Sequence, residues 1–263
     1  DGYLIRTDKL DKILEIDFAH NRVRVEAGKK LKHFFRELAD YGLALSNQGF
    51  ITDQSIAGAL ATGTHGSGHT GILSDYIYSI ELIDGNGNYH IISPESNPEW
   101  LPFARLHLGG LGIVYALTIE CEPLFILEHT KKTITWDEFI QHYKTYFFDN
   151  DFCMVMGHPE KESVLLYVWN KTEKKESQDL FTVIKERILK NRLIDRVAVH
   201  IAHNYPFLAS CCFDYYFGIA AHKQQYQQSY KSLSPFTDLI SIAHFKEAEV
   251  AVPIDLFPQA FNT

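Results

Sequence analysis

The sequence predicts an α+β protein built from two unlike parts. Three observations carry this: short β-type runs surround a single amphipathic stretch in the first half, an Asn-Gly pair joins two β-rich runs as a hairpin would, and beyond Pro123 the pattern changes to longer helical and strand-like runs. At roughly 100–200 residues per domain, 263 residues allow one large or two modest domains. The change of texture places the boundary there, giving parts 1–123 and 124–263.

The elements follow in order. "YLIRT", "KILEIDFAH" and "RVRVEAG" read as meandering strands, the last alternating Val23 and Val25 with Arg22, Arg24 and Glu26. "KKLKHFFRELADYG" spaces Leu31, Phe34, Phe35 and Leu38 as one helix face, with Gly42 set to stop it. "DQSIAGALA" predicts a short helix with Asp53 or Ser55 near its N-cap. In "YIYSIELIDGNGNYHIIS", Asn86-Gly87 supplies the positive-φ turn of a hairpin. "NPEWLPFARLHLGG" is mostly helical, and "IVYALTIECEPLF" returns to strand. In the second part "ITWDEFIQHYKTYFFDN" and "ESQDLFTVIKERILKNRLIDRVAVHIA" predict helices, while "CMVMGH" and "SVLLYVWN" predict strands. The tail "HFKEAEVAVPIDLF" reads as a strand, with a new element starting at Pro253.

With 46% hydrophobic and 22% charged residues the chain is of ordinary globular composition. A net charge of -8 has the wrong sign for attraction to a phosphate backbone, so nucleic acid is not an expected partner. No apolar run approaches the roughly 20 residues that span a bilayer, and nothing at the N-terminus reads as a signal peptide, so membrane association is not indicated. Cys121, Cys153, Cys211 and Cys212 form no CxxC pair and have no zinc-like His spacing, which predicts reduced thiols in a cytoplasmic protein. The vicinal Cys211-Cys212 reads as two buried thiols rather than a redox pair. Met154 and Met156 are the only methionines, the chain opens inside a strand-rich region, and its tail stops before an element closes. It is therefore expected to be a fragment truncated at both ends.

The densest chemical signal is "SIAGALATGTHGSGHTG", residues 55–71. Glycines let peptide N–H groups approach an anionic ligand, and the interleaved hydroxyls can bond phosphate or ring atoms. The same residues also make ordinary turns, and residue type alone does not separate the two readings. A phosphate-binding Walker loop needs a Lys after its last glycine, which is missing, and Gly63, Gly66, Gly68 and Gly71 have the wrong intervals for GxGxxG. A nucleophile elbow fails because His65 stands two residues before Ser67. His65 and His69 are four apart, but on a glycine-rich segment without acidic or cysteine partners, so no metal is expected. A second glycine group, Gly109, Gly110 and Gly112, precedes the strand "IVYALTIECEP" and offers another backbone surface to a large planar ligand, or else a tight helix-to-strand connection.

Together the two motifs become specific. "NQGFITDQSIAGALATGTHGSGHTGILSDYIYSIELIDGNG" followed by "GGLGIVYALTIECEP" resembles the sugar-lactone and alditol oxidases (arabinonolactone, gulonolactone and alditol oxidases) of the vanillyl-alcohol-oxidase, or PCMH-type, flavoprotein superfamily. The tail "HFKEAEVAVPIDL" resembles the E-x-E-x-x-V-P strand of their substrate domain. The resemblance implies the second subdomain of a PCMH-type FAD-binding domain over 1–123, followed by part of an α+β substrate (cap) domain over 124–263. It implies FAD as the cofactor, with Ser55, Gly58, Thr62, Gly63, Thr64 and His65 lining the pyrophosphate and flavin. Ile113 would pack by the adenine end through its backbone, and Phe50 and Gly112 are further cofactor-binding positions.

The implied reaction is hydride transfer from a CH–OH carbon of a sugar-derived lactone or polyol to flavin N5, with molecular oxygen as acceptor and hydrogen peroxide as product. The family's Glu-x-Arg pair and Lys have no match here and are expected beyond Thr263, so no catalytic residue is identified in the chain. The family's first FAD subdomain, with a G-H-S turn that often bonds flavin covalently, is expected before Asp1, and half a clasp is not expected to hold FAD well. Where the family reads N-L-G-S-I this chain reads "NQGFI", so Phe50 takes a place near the flavin and either narrows the pocket or packs beneath the loop. Glu247 and Glu249, two apart on a strand, either face the substrate cavity or are solvated charges. The aromatics of "FDYYFGIAAHKQQYQQSY" either line a cap or belong to a core. A dehydrogenase with another acceptor and a non-catalytic binding module are the alternative functions.

Overall fold

The computed structural model describes residues 4–157, 161–177, 197, 200–201, 204–205, 225–233 and 251–261. Two compact units emerge, one from Asp1–Phe125 with Gln228–Thr237, the other from Ile126–Gln227 with Asp238–Thr263. Glu247, Glu249, Cys211, Cys212, most of the helical reading over 176–202 and most of the aromatic stretch beginning "FDYYF" lie outside the described residues.

The first unit contains β1 (Ile13–Asp17), β2 (Arg22–Glu26), α1 (Leu31–Asp40), β3 (Leu43–Ala44), α2 (Ile56–Ala61), β4 (Ile77–Ile83), β5 (Tyr89–Ile92), α3 (Leu101–Arg105), β6 (Ile113–Glu120) and β7 (Glu122–Pro123). Five of the strands form an antiparallel sheet in the order β1-β2-β6-β4-β5. Val23 and Val25 alternate inward opposite Ile119 and Leu117. Leu31, Phe34, Phe35 and Leu38 of α1 and Ile56, Ala59 and Leu60 of α2 join them in one core. The helix face read from the sequence is thus the buried one, and Gly42, at φ +72°, takes the left-handed turn that ends it.

Three details differ from expectation. Leu4–Thr7 are not a strand, and Leu4 and Ile5 stand exposed. β1 stops at Asp17 because its carboxylate accepts from the N–H groups of Ala19 and His20 and pairs with the His20 ring, turning "FAH" into a corner. At the hairpin only Gly87 has positive φ, at +87°. The turn is longer than Asn86-Gly87: Asp84 N–H bonds Asn88 O, and the Asp84 carboxylate accepts from the backbone of Asn86 and Asn88 and from His90, which holds its pKa far below the carboxylate range.

The second unit has its own sheet, in the order β11-β8-β10-β9. Its elements are β8 (Ile126–Thr135), α4 (Trp136–Phe148), β9 (Phe152–Gly157), β10 (Ser163–Thr172) and β11 (Gln225–Gln228). A short helix α5 (Ser229–Ser232) follows β11 and carries Tyr230 onto the first unit's core, and α6 (Phe257–Phe261) follows a turn of 3₁₀-helix that begins after Pro253. Residues 251–253 carry no strand.

The sequence reading misses β8, which pairs with β10 over ten residues, from Ile126–Thr172 to Thr135–Ser163. Its last residues, Ile134 and Thr135, belong to the strand rather than to the helix, and Thr135 Oγ1 caps α4 by accepting the Glu138 N–H at 3.1 Å. One face of this sheet packs Ile134, Val164, Leu166 and Cys153 against Phe139 and Tyr143 of α4 and Phe257 of α6. The other stacks His129 on Trp169 at 4.7 Å and on Tyr167 at 5.9 Å. Burial pushes the His129 pKa down to about 3, so this imidazole is neutral.

On the first sheet's outer face Arg24 forks onto both Glu81 oxygens, at 2.5 and 2.8 Å, and Tyr89 also donates to Glu81. The Arg24 bonds hold the Glu81 pKa below its ordinary value of 4.5. A depressed carboxylate adds stability that is present above its unfolded pKa and is lost as pH falls through the folded value. Acid titration of thermal stability should therefore show a loss beginning below about pH 4.5 that is smaller in Glu81→Gln, with a cost of about 1–3 kcal/mol for that variant at neutral pH.

Candidate flavin-binding face

Both glycine motifs belong to the first unit, and the structure brings them together. α2 begins after Ser55, the expected N-cap, but the Ser55 side chain makes no capping bond. Instead Ile56 N–H donates to Lys29 O at 2.8 Å and Ala57 N–H to Ala27 O at 3.1 Å, so the first donors of the helix are met by the chain leaving β2. At the other end Gly63, at φ +71°, turns the chain, and Ala61 O accepts the Leu108 N–H at 3.2 Å. Leu106 Cδ1 lies 3.1 Å from where a Gly63 side chain would begin. The second motif is thereby seated on the C-terminal end of α2.

From Thr64 onward the chain forms a narrow loop. Leu73 N–H bonds Thr64 O at 2.9 Å and His65 pairs with Ile72, closing residues 66–71 as a tip. Polar clamps hold that tip: Ile72 N–H donates to the Asp75 carboxylate at 3.0 Å, Tyr76 OH to Thr70 O at 2.5 Å, and Ser74 Oγ to Leu60 O. The central clamp is Asn47, which is fully buried. Its Nδ2 donates to Gly71 O at 3.0 Å and its Oδ1 accepts the Gln48 N–H at 2.9 Å. A side chain at Gly66 would begin 2.1 Å from Gln48 O, and one at Gly49 would begin 2.8 Å from Thr64 Cγ2. Gly66 is required where two stretches of backbone meet, and Gly49 packs against the Thr64 methyl group.

The predicted residues divide accordingly. Gly58, Thr62 and His65 are exposed, while Ser55, Gly63, Thr64 and Phe50 are half-buried. The N–H groups of Gly63 and Thr64 already donate to Leu60 O and Ala59 O, and the Thr62 hydroxyl donates to Gly58 O. His65 Nδ1 donates to Gly66 O at 3.1 Å. At Gly112, φ is +139° and a side chain would begin 2.2 Å from Ile83 O, so this glycine is demanded by the packing of β6 on β4. Open backbone lies at Gly109, where a side chain would begin with nothing within 4 Å, flanked by Leu106, 74% exposed Leu108 and Ile113. His107 in the same turn accepts the Gly109 N–H on Nδ1, which puts its proton on Nε2. Desolvation lowers the His107 pKa, favouring that neutral form.

Sequence reasoning passes over two residues here. Asn47 and Gln48 are the only long polar side chains in a run that is otherwise apolar or small, "GLALSNQGF", and that contrast is the available signal. Gln48 is buried, and both ends of its carboxamide lack a partner, as does the buried Ser67 Oγ. Open glycine backbone and an apolar rim at the second motif, with unmet polar atoms in and next to the first, fit a cofactor that is flat, partly apolar and rich in donors and acceptors. Among the described residues no three His, Cys, Asp or Glu side chains gather as a metal site would require, and no helix is long and apolar enough to cross a membrane.

These features define one lobe of an FAD-binding domain, and residues 1–93 match the family model described as "FAD binding domain". Residues 117–263 match the model "D-arabinono-1,4-lactone oxidase", and the chain belongs to that family. It is 32% identical over 175 residues to L-gulonolactone oxidase of Bos taurus, covering 66% of this chain and 40% of that protein. To D-arabinono-1,4-lactone oxidase of Saccharomyces cerevisiae it is 29% identical over 177 residues, covering 65% and 34%. The chain thus spans about 40% or less of the length of these curated relatives. Among solved structures, cholesterol oxidase from B. sterolicum matches with a TM-score of 0.67 at 18% identity, covering 84% of this chain and 47% of that one. A carbohydrate oxidase from Microdochium nivale matches at 0.53 and 19% identity, covering 64% and 38%. These two likenesses establish the shared fold.

The clamp makes a testable claim about order in the loop. Asn47→Ala should lower stability by about 2–4 kcal/mol, because it removes two buried hydrogen bonds and leaves Gly71 O unpaired. Hydrogen exchange should accelerate over residues 64–73, while the hairpin of β4 and β5 exchanges as before. Gly66→Ala should be at least as damaging, since its methyl group meets backbone rather than a movable side chain.

Proposed function

We propose that the full-length protein is an FAD-dependent oxidase that takes a hydride from a CH–OH carbon of a sugar-derived lactone, an aldonolactone foremost. Molecular oxygen is the electron acceptor and hydrogen peroxide the product. The observation that carries this reading is the pairing in one chain of the glycine face with a domain of the D-arabinono-1,4-lactone oxidase family. When bound, FAD supplies the hydride-accepting ring system. The part of this chain is to hold and shape the cofactor's surroundings. The Asn47 clamp fixes the Gly66–Gly71 tip, the Leu106–Ile113 rim offers apolar area to a flat ring, and Ser55, Thr62 and Thr64 present oxygen atoms at its border. Phe50, half-buried at the end of the Asn47–Gly49 segment, narrows the neighbouring space and favours a compact lactone over a long open polyol.

Anaerobic mixing of the flavin-loaded full-length protein with a panel of aldonolactones and alditols should bleach the flavin absorbance with lactones first. Admitting oxygen should restore it with stoichiometric peroxide. Bleaching without rapid reoxidation would identify a dehydrogenase that uses another acceptor, and no bleaching with any of the panel would refute the reading.

A further inference from the structure

The carboxamide of Gln48 has no role in holding the loop. Its backbone is committed, with the N–H on Asn47 Oδ1 at 2.9 Å and the carbonyl pressed against Gly66. Its side chain is 1% exposed, yet neither Nε2 nor Oε1 has a hydrogen-bond partner. Leaving both ends of a buried amide unpaired is costly, so such a group marks a place where something polar belongs. The backbone that carries it runs beside the glycine loop: Gly49, the next residue, abuts Thr64 and His65, and the buried Ser67 Oγ of the same loop is also unmet.

A carboxamide presents a donor and an acceptor side by side in one plane. Its natural complement is a planar edge on which an acceptor adjoins a donor. The pyrimidine part of a flavin has such an edge, with an N3–H set between two ring carbonyls. We infer that Gln48 reads this edge, Nε2 donating to a flavin carbonyl and Oε1 accepting from N3–H, which makes it a residue that selects the flavin ring. The inference rests on FAD binding by this domain. The adenine end of FAD also carries a donor next to an acceptor, but the Gln48 backbone lies against Gly66 and its neighbour Gly49 against Thr64 and His65, in the stretch that the family resemblance sets by the flavin, so the flavin edge is the one assigned.

The test is a binding measurement on full-length apoprotein, read by flavin fluorescence, with FAD and with N3-methyl-FAD, in which a methyl group replaces the proton that Oε1 would accept. The wild type should bind FAD on the order of tenfold more tightly than the methylated form. Gln48→Met, similar in length but without the amide, should weaken FAD by a comparable factor and bring the two affinities together. A wild type that does not distinguish the two ligands, or a Q48M protein that still does, overturns the assignment. So does a Q48M protein that instead loses discrimination against FAD methylated at the adenine amino group. The wild-type comparison needs no substitution and stands even if Q48M melts early. A wild type that binds no FAD at all overturns the cofactor reading beneath it, an outcome distinct from binding without discrimination.

Discussion

A single buried carboxamide, that of Asn47, holds the candidate site in shape. The Gly66–Gly71 tip has little side-chain volume with which to pack, and glycine loses more conformational freedom on ordering than any other residue. Such a loop keeps one shape only when polar contacts replace the missing core. Asn47 provides two of them at once, reaching across 24 residues of chain to Gly71 while holding its own neighbour Gln48. Asp75, Tyr76 and Ser74 complete the clamp from the other side.

This anchoring changes what the glycines do. A glycine-rich loop suggests free peptide N–H groups waiting for an anion, but at Gly63 and Thr64 those donors are used within the protein. Gly66 and Gly112 lack side chains because another stretch of backbone lies where Cβ would be. On the proposed reading a ligand would meet a different set of groups: hydroxyl oxygens at the border, the exposed Leu106, Leu108 and Ile113 about the uncrowded Gly109, and the unmet amide of Gln48. That combination suits a flat heterocycle better than an isolated phosphate.

The second unit shows a comparable division between its sheet faces. One is an apolar core completed by α4 and α6, while the other buries the stack of His129, Tyr167 and Trp169. A histidine kept neutral by burial serves there as a flat packing element with one polar edge. This arrangement depends on β8, which pairs with β10 over ten residues and whose two adjacent lysines and lack of an apolar run disguise it in the sequence.

Much was legible from local pattern. The spacing of Leu31, Phe34, Phe35 and Leu38 marks a helix face, alternation marks β2, and two glycine motifs at the right separation mark the flavoprotein family, because each is a regularity of neighbouring residues. What the tertiary structure alone decided is which groups meet. Asn47 with Gly71, Ala61 with Leu108, Gly112 with Ile83 and the isolation of Gln48 all join residues, or deny them partners, across tens of positions. Hydrogen bonds and close backbone contacts depend on position in space, whereas periodicity records only how one stretch faces the core. The sequence therefore determined the kind of protein, and the folded chain determined which of its glycines and amides are committed to contacts within it.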